Sequence, residues 1–278
     1  MSKTIGILHP GAMGVSIAAS AKNSGNTIYW ASEGRSEATR QRADEVGLVD
    51  AGSLADMCEK CEVILSVCPP ASAEQVAQDV IAAGFSGLYL DGNAIAPQRT
   101  LRIGRAMADA GVTFVDGGII GGPAWESGRT WLYLSGEAAP QIAECFSAGP
   151  LETSIISDQI GQASALKMVF AAYTKGTTAL LAAIIATAES LGVREALNAQ
   201  WSRNGSAFAD ETEARVRNVT AKAWRFEGEM QEIAATFAEA GLPDGFHLAA
   251  ADVYSRIADF KDATETPELA DVLKVLLQ

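Results

Sequence analysis

Lys167 is the residue of this chain whose type and setting point most directly to chemistry. It stands in Leu166-Lys167-Met168-Val169-Phe170, an apolar neighbourhood in which an unpaired ammonium is costly. Desolvation disfavours the charged form of a lysine, and a cationic ring nearby does the same, so such an amine exchanges its proton closer to working pH. Hydride transfer from a carbon bearing a hydroxyl needs a group of this kind to take the hydroxyl proton, and to return one in the reverse direction. The plain alternative is a lysine that snorkels from a helix edge.

A second pattern, His9-Pro10-Gly11-Ala12-Met13-Gly14, follows the strand-like Thr4 to Leu8 and opens a helical stretch. This is the context of a dinucleotide fingerprint: glycines admit the pyrophosphate to the backbone, and the helix N-terminus offers N–H donors and partial positive charge. His9 stands where the fingerprint's first glycine is usual, and is read as a turn residue beside the cofactor. After the second strand come Ser32, Glu33, Arg35 and Ser36, with Arg40 and Arg42 beyond. A carboxylate at the strand end normally binds the ribose 2′-OH. Here that position is the neutral Ser32, and Arg35, Ser36 and Arg40 suit a 2′-phosphate, which favours NADP over NAD. In the rival reading Glu33 binds the ribose and the arginines form a solvated helix face. Val67, Cys68 and Pro69, at the end of the Val63 to Val67 strand, are assigned to the same cofactor surface.

Four further groups are candidates. Ile120, Gly121 and Gly122, before Pro123, bring backbone N–H groups toward a substrate carboxylate or carbonyl; otherwise they are a tight turn. Asn93 orients the nicotinamide amide or a substrate oxygen, or caps the turn before Pro97. Phe170 and Tyr173, with Thr174, fall near Lys167 at α-helical spacing and line a pocket, or are core. Glu229 is read as meeting a cationic or neutral substrate end, and Trp201, Trp224, Phe226 and Phe246 as either an aromatic-accepting pocket or core. His247 is read as a surface or capping residue. Cys58 and Cys61 form a CxxC, followed by Cys68, but lack a helix N-terminus or a set of four ligands; reduced structural thiols are expected, and no metal.

The elements that must position these residues follow from pattern. The chain has 278 residues, 48% of them hydrophobic and 20% charged, which suits one large or two ordinary globular domains. Its net charge of −13 argues against general nucleic-acid or anionic-membrane binding. Strand-like runs at Thr4 to Leu8, Thr27 to Trp30, Val63 to Val67, Leu88 to Leu90 and Thr113 to Val115 alternate with helical patterns. That alternation predicts an α/β fold, a parallel sheet covered on both faces. Trp131 to Leu134 and Ser154 to Ile156 extend its edge. From Gln162 to Leu191 one long apolar helix is expected, roughly 45 Å in length, and further helices follow with breaks at Gly205, Gly241-Leu242-Pro243 and Pro267. The domains are therefore placed at 1–160, for the dinucleotide, and 161–278, all-helical. The most apolar stretch, Thr177 to Ala188, is too short to span a bilayer comfortably.

Four segments resemble the β-hydroxyacid dehydrogenase superfamily, which includes 3-hydroxyisobutyrate and 6-phosphogluconate dehydrogenases and has imine reductases as relatives. They are Gly6 to Gly14, Asp91-Gly92-Asn93-Ala94, Asp116-Gly117-Gly118-Ile119-Ile120-Gly121-Gly122, and Gly161-Gln162-Ala163 with Lys167. The resemblance covers nearly the whole chain and is nearest to a less characterised NAD(P)-dependent branch. It implies an N-terminal Rossmann-type doubly wound sheet, a 6-phosphogluconate-dehydrogenase-like helical C-terminal domain with a long inter-domain helix, and Lys167 as catalytic lysine. It also implies that the Asp116 segment binds substrate. Where the superfamily has serine, asparagine and threonine, this chain has Ile120, Ala171 and Ala94, and Asn93 replaces a serine; these groups hold carboxylates or hydroxyls in the better-known members.

The expected activity is an NADP-dependent dehydrogenase or reductase acting on a small β-hydroxy acid or related alcohol/carbonyl pair. The alternatives are imine reduction, against which the retained Lys167 counts, and a non-catalytic NADP-binding protein, for which Ile120 and Ala171 count. The apolar long helix calls for a homodimer. With no targeting segment apparent, a cytoplasmic protein is expected.

Overall fold

A computed structural model describes residues 2–278. They fall into two compact units, Met1–Lys167 and Met168–Gln278. The division lies inside a helix rather than before it at residue 160, because side chains of the sheet hold the start of that helix.

In the first unit β1 (Thr4–Ile7) leads through a short turn to α1 (Ala12–Asn23), β2 (Thr27–Trp30), α2 (Glu37–Glu45) and β3 (Val49–Asp50). A crossover through α3 (Leu54–Lys60) returns the chain to β4 (Val63–Ser66); α4 (Ala73–Ala82), β5 (Leu88–Asp91), α5 (Pro97–Asp109) and β6 (Thr113–Gly121) follow. The eight-stranded sheet has the order β3-β2-β1-β4-β5-β6 and then β7 (Thr130–Ser135) and β8 (Glu152–Ser157), with α6 (Ala139–Ala143) between those two. All pairs are parallel except β6 with β7. The first six strands have the dinucleotide-binding order, and their carboxyl ends make one edge where ligands bind such sheets.

Local signals explain the elements. β4 and β5, Val-Ile-Leu-Ser and Leu-Tyr-Leu-Asp, are buried at every residue, as strands covered on both faces must be. Ser53 caps α3 by accepting from the Asp56 N–H at 3.1 Å, and Pro97 starts α5 where its missing N–H costs nothing. The core on one face of the sheet gathers Ile5, Ile17, Trp30, Leu65 and Leu134; the other gathers Met57, Ile64, Tyr89, Ile103 and Met107.

α7 (Gln162–Ala171) carries the chain out of the first unit. The second unit is all-helical: α8 (Thr177–Ser190), α9 (Arg194–Trp201), α10 (Phe208–Glu239), α11 (Gly245–Arg256) and α12 (Leu269–Leu276). The breaks fall at Gly205, before Gly245 and after Pro267, as their chemistry predicts. α10, with 32 residues, packs against α8, α11 and α12. The long helix expected over Gln162 to Leu191 is present as Gln162–Ser190, with a π-turn over Ala172–Gly176 joining α7 to α8. The altered turn has outside support: Arg215 donates to the Thr174 carbonyl at 2.7 Å and the Tyr254 hydroxyl to the Lys175 carbonyl at 2.8 Å. The run Gln162–Ser190 is long and apolar enough to cross a membrane, its most apolar 18-residue window having a mean hydropathy of 1.5, so it exceeds the stretch Thr177 to Ala188. Half of its most apolar window is buried inside the protein, the burial of a core helix.

Candidate active site

The β1–α1 turn has the form that a bound phosphate needs. α1 begins at Gly11 with no side chain capping its first N–H groups and no acidic residue in its first turn. A Cβ on Gly11 would meet nothing within 4 Å, so the backbone is open to a ligand there. A Cβ on Gly14 would overlap the His9 carbonyl oxygen, which makes this glycine obligatory for packing helix on strand. Pro10 is buried, Met13 half-buried and Ala12 exposed. His9 needs no glycine-like backbone, since Asn204 is the only non-glycine at positive φ among the described residues. Burial, helped by the Arg35 charge, pushes the His9 imidazole down to about 4. It is neutral at pH 7, as befits a turn residue, and its Nδ1 is buried without a partner.

Three arginines stand beside this turn. Arg35 donates to the Leu8 carbonyl at 3.1 Å, Arg42 to the Pro10 carbonyl at 3.2 Å and Arg40 to the Ser32 carbonyl at 2.8 Å. None of the three has a carboxylate within the 4.0 Å of an ion pair among the described residues, and Arg35 Nε is buried without a partner. Ser32 is buried, while Ser36 and Glu33 are exposed. The backbone thus fixes three guanidinium groups beside the turn, Arg40 also lending its charge to the Asp50 carboxylate, and an anionic phosphate is what such a set accepts. The residues present fit a nicotinamide dinucleotide cofactor.

At the ends of β4 and β5 the structure departs from expectation. Asn93 is 2% exposed, accepts from the Cys68 N–H at 2.6 Å and donates to Ser66 Oγ at 3.1 Å. Its amide is turned into the sheet, where it holds the Val67-Cys68-Pro69 segment. Val67 and Cys68 are half-buried and Pro69 exposed, so this segment is left as the surface. Beneath lie two buried acids in register on adjacent strands, Asp91 and Asp116. Burial is the main cause that raises Asp91 from 3.8 to about 7, and the neighbouring Asp116 adds to it; one of its oxygens has no hydrogen-bond partner. Burial also raises Asp116.

The resemblance places Asp116 in a substrate-binding segment. Its carboxylate is fully buried and instead accepts from Ser135 Oγ at 2.9 Å, Gly161 N–H at 2.9 Å, Ser164 N–H at 3.1 Å and Ser164 Oγ at 2.6 Å. Sequence reasoning missed Ser135 and Ser164 altogether. The available signal was an aspartate inside the apolar run Phe114-Val115-Asp116, which requires internal partners.

Gly118 lets α7 lie directly on β6, where Lys167 Cβ comes within 3.2 Å of the position a Gly118 Cβ would take. Lys167 is half-buried and its Nζ donates to the Ile119 carbonyl at 2.6 Å. The amine therefore sits at the carboxyl end of β6, on the sheet edge that also carries the β1–α1 turn. Ile120 is half-buried, and Gly121 and Gly122 are exposed beyond it. Gly121 ends the strand at φ +128, where a Cβ would overlap the Arg129 carbonyl oxygen. The following hairpin is tied back to α1: Ser16 Oγ accepts from the Ala124 N–H at 2.9 Å and donates to the Met13 carbonyl at 2.8 Å.

In the second unit Phe170 and Tyr173 are exposed, Tyr173 at 72%, and the π-turn interrupts the α spacing that grouped them with Thr174. Glu229 meets no free substrate end: it pairs with Lys175 at 2.8 Å, both nearly buried, with Lys175 Nζ 4.7 Å from the Phe226 ring centre. His247 is buried against Phe237 and Phe246 rather than on the surface. Trp201 packs edge-on against Phe208 and Phe226 against Tyr254, whereas Trp224 and Phe246 remain exposed. In the first unit Cys58, Cys61 and Cys68 are free thiols that burial pushes up to about 11, 12 and 11, so none is a thiolate nucleophile. No cluster of three metal-ligating side chains occurs among the described residues.

Residues 4–145, about half of the chain, match the NAD binding domain of 6-phosphogluconate dehydrogenase, and residues 188–257 match a domain of unknown function (DUF1932). An uncharacterized 28.5 kDa protein from Methanothermus fervidus is 30% identical over 187 residues, 66% of this chain and 71% of that protein. Among solved structures, the conserved protein MTH1747, of unknown function and described as structurally similar to 3-hydroxyacid dehydrogenases, is 26% identical. It matches with a TM-score of 0.66 over 92% of this chain and 97% of its own. The Mycobacterium tuberculosis 3-hydroxyisobutyrate dehydrogenase, solved with L-serine, shares the fold at 18% identity and a TM-score of 0.69 over 100% of both chains. The fold is that of NAD(P)-binding 3-hydroxyacid dehydrogenases, and the first unit is an NAD(P)-binding Rossmann domain.

Proposed function

Because the chain belongs to the family defined by the NAD binding domain of 6-phosphogluconate dehydrogenase, we propose that it is an NADP-dependent oxidoreductase acting on CH–OH donors. It moves a hydride between the nicotinamide and a small β-hydroxy acid or related alcohol/carbonyl substrate, with Lys167 as general acid/base. The observation that carries this reading is the Lys167 amine fixed on the Ile119 carbonyl at the ligand-binding edge of the sheet.

Bound there, NADP supplies the hydride acceptor or donor. The protein's own residues do the rest. The open first turn of α1 holds the pyrophosphate with backbone N–H groups. Arg35 and Arg40, with Ser32 and Ser36, take the 2′-phosphate, supported by the absence of any ion pair on these arginines among the described residues. Lys167 in its neutral form takes the hydroxyl proton during oxidation and returns it to the forming alkoxide oxygen during reduction. The exposed Gly121-Gly122 backbone offers N–H groups to the substrate carboxylate.

We further place the protein in the cytoplasm as a homodimer. Free thiols at all four cysteines support the first. Val169, Leu180 and Leu191, apolar and exposed in or just beyond an otherwise core-like helical run, support the second.

The test is turnover by purified protein on short β-hydroxy acids with NADP, compared with Lys167→Met. Turnover is expected to fall by about 10²–10⁴, while NADPH fluorescence titration is unchanged. Equal turnover in both proteins overturns the assignment.

A further inference from the structure

We propose that Asp116 is the positioning residue of the Lys167 amine, acting through the first turn of α7; the proposal rests on Lys167 being the proton-exchanging group. A helix start leaves several N–H groups unpaired, and a residue of the helix itself usually satisfies them. Here side chains from two strands do so. Ala165 N–H bonds to the Gly161 carbonyl at 2.9 Å, so Gly161 is the flanking residue of α7. The Gly161 and Ser164 N–H groups go to Asp116 Oδ2 and the Ala163 N–H goes to Ser135 Oγ at 3.1 Å. Ser135 Oγ and Ser164 Oγ themselves donate to the carboxylate. All four hydrogen bonds to the Asp116 carboxylate come from donors, which is the environment of an ionised carboxylate facing the positive end of a helix.

The same strand then holds the far end of the lever. Ser164 lies one turn before Lys167, and three residues along β6 from Asp116 the Ile119 carbonyl receives the Lys167 amine at 2.6 Å. Between the two, the Gly118 backbone lies against Ala163 and Lys167 Cβ. One strand thus fixes both the start of the helix and the nitrogen it presents. Asp116, at 0% exposure, cannot touch substrate, so its part is placement.

Asp116→Asn keeps the size and replaces one acceptor oxygen by a donor, which then faces N–H and O–H donors. Two readouts need no substrate: hydrogen exchange of the amides from Ala163 to Lys167, and the pH midpoint for acetylation of Lys167 by acetic anhydride, followed by mass spectrometry. We expect exchange in that turn to accelerate by at least ~10-fold and the midpoint to move, with NADPH affinity retained because the β1–α1 turn is untouched. On short β-hydroxy acids, kcat falls ~10–100-fold with little change in the KM for NADP. An unchanged midpoint together with unchanged exchange overturns the proposal. If Asp116→Asn does not fold, Ser164→Ala, which removes the 2.6 Å hydroxyl contact to Asp116 together with a 2.8 Å contact to Thr100 Oγ1 but leaves the carboxylate in place, must move the same two readouts in the same direction by less; no movement there also overturns it. Active Lys167→Met beside a shifted midpoint in Asp116→Asn would remove the catalytic reading and leave the placement standing.

Discussion

A Cβ on Gly118 would lie 2.5 Å from the Ala163 carbonyl oxygen, so β6 and α7 meet backbone to backbone. Neither partner is the flexible end of a side chain, and neither can yield without moving the strand or the helix. Gly118→Ala is therefore expected to cost ~1–3 kcal/mol of stability, read as a lower urea midpoint with an unchanged slope. It should also lower turnover, since Lys167 rides on the displaced helix. A midpoint equal to wild type would mean that the two backbones separate freely.

Cofactor choice is read at Arg35, which already spends one nitrogen on the Leu8 carbonyl and leaves Nε unpaired. Arg35→Ala should weaken NADPH binding by ~10-fold or more, as loss of a charge-assisted phosphate contact does, and change NADH binding little. The NADPH preference should also shrink as ionic strength rises. Equal affinities for the two cofactors, before and after the substitution, would return the choice to Glu33 and NAD.

The acidity of Asp91 gives stability a pH slope of unusual sign. Burial raises its carboxyl from 3.8 to about 7 in the folded protein. Between those values the folded chain holds a proton that the unfolded chain has released, so stability is full below about 4 and is lost as pH rises to about 7. Asp91→Asn carries no such proton and should reduce that decline by up to ~1.4 kcal/mol per pH unit within the window. Urea unfolding of both proteins at several pH values decides it; parallel curves would show that Asp91 does not titrate there.

Pairing of two copies should appear as a dimer mass in sedimentation at micromolar concentration. Leu180→Glu on the exposed face of α8 should shift that mass toward the monomer without unfolding the chain. A monomer at these concentrations in the unmodified protein would end the proposal.

Much of the architecture was legible because it rests on local pattern: strand runs of alternating or continuous apolar residues, Pro97 opening α5, and glycine and proline breaks between the later helices. β3 was not legible, since two exposed residues, Val49 and Asp50, carry no period and exist as a strand only through pairing with β2. The π-turn escaped for a related reason: its freed carbonyls are met by Arg215 and Tyr254, far along the chain. In the candidate site, the glycine turn stood out by its spacing, and Lys167 by its apolar neighbours and the superfamily segment it resembles. The partners of Asp116 lie 19, 45 and 48 residues away, and no spacing rule links an aspartate to serines at such separations. Asn93 was visible as a residue but not as a strut, because its direction depends on which neighbour its amide finds.

Ser16, in α1, is bonded to the loop at Ala124, 108 residues further along the chain. Its hydroxyl grips the hairpin after Gly122 while resting on the opening coil of α1, so the seat for phosphate and the glycine lip beyond β6 form one mechanical piece. A tilt of that helix is carried into the lip with no intervening slack.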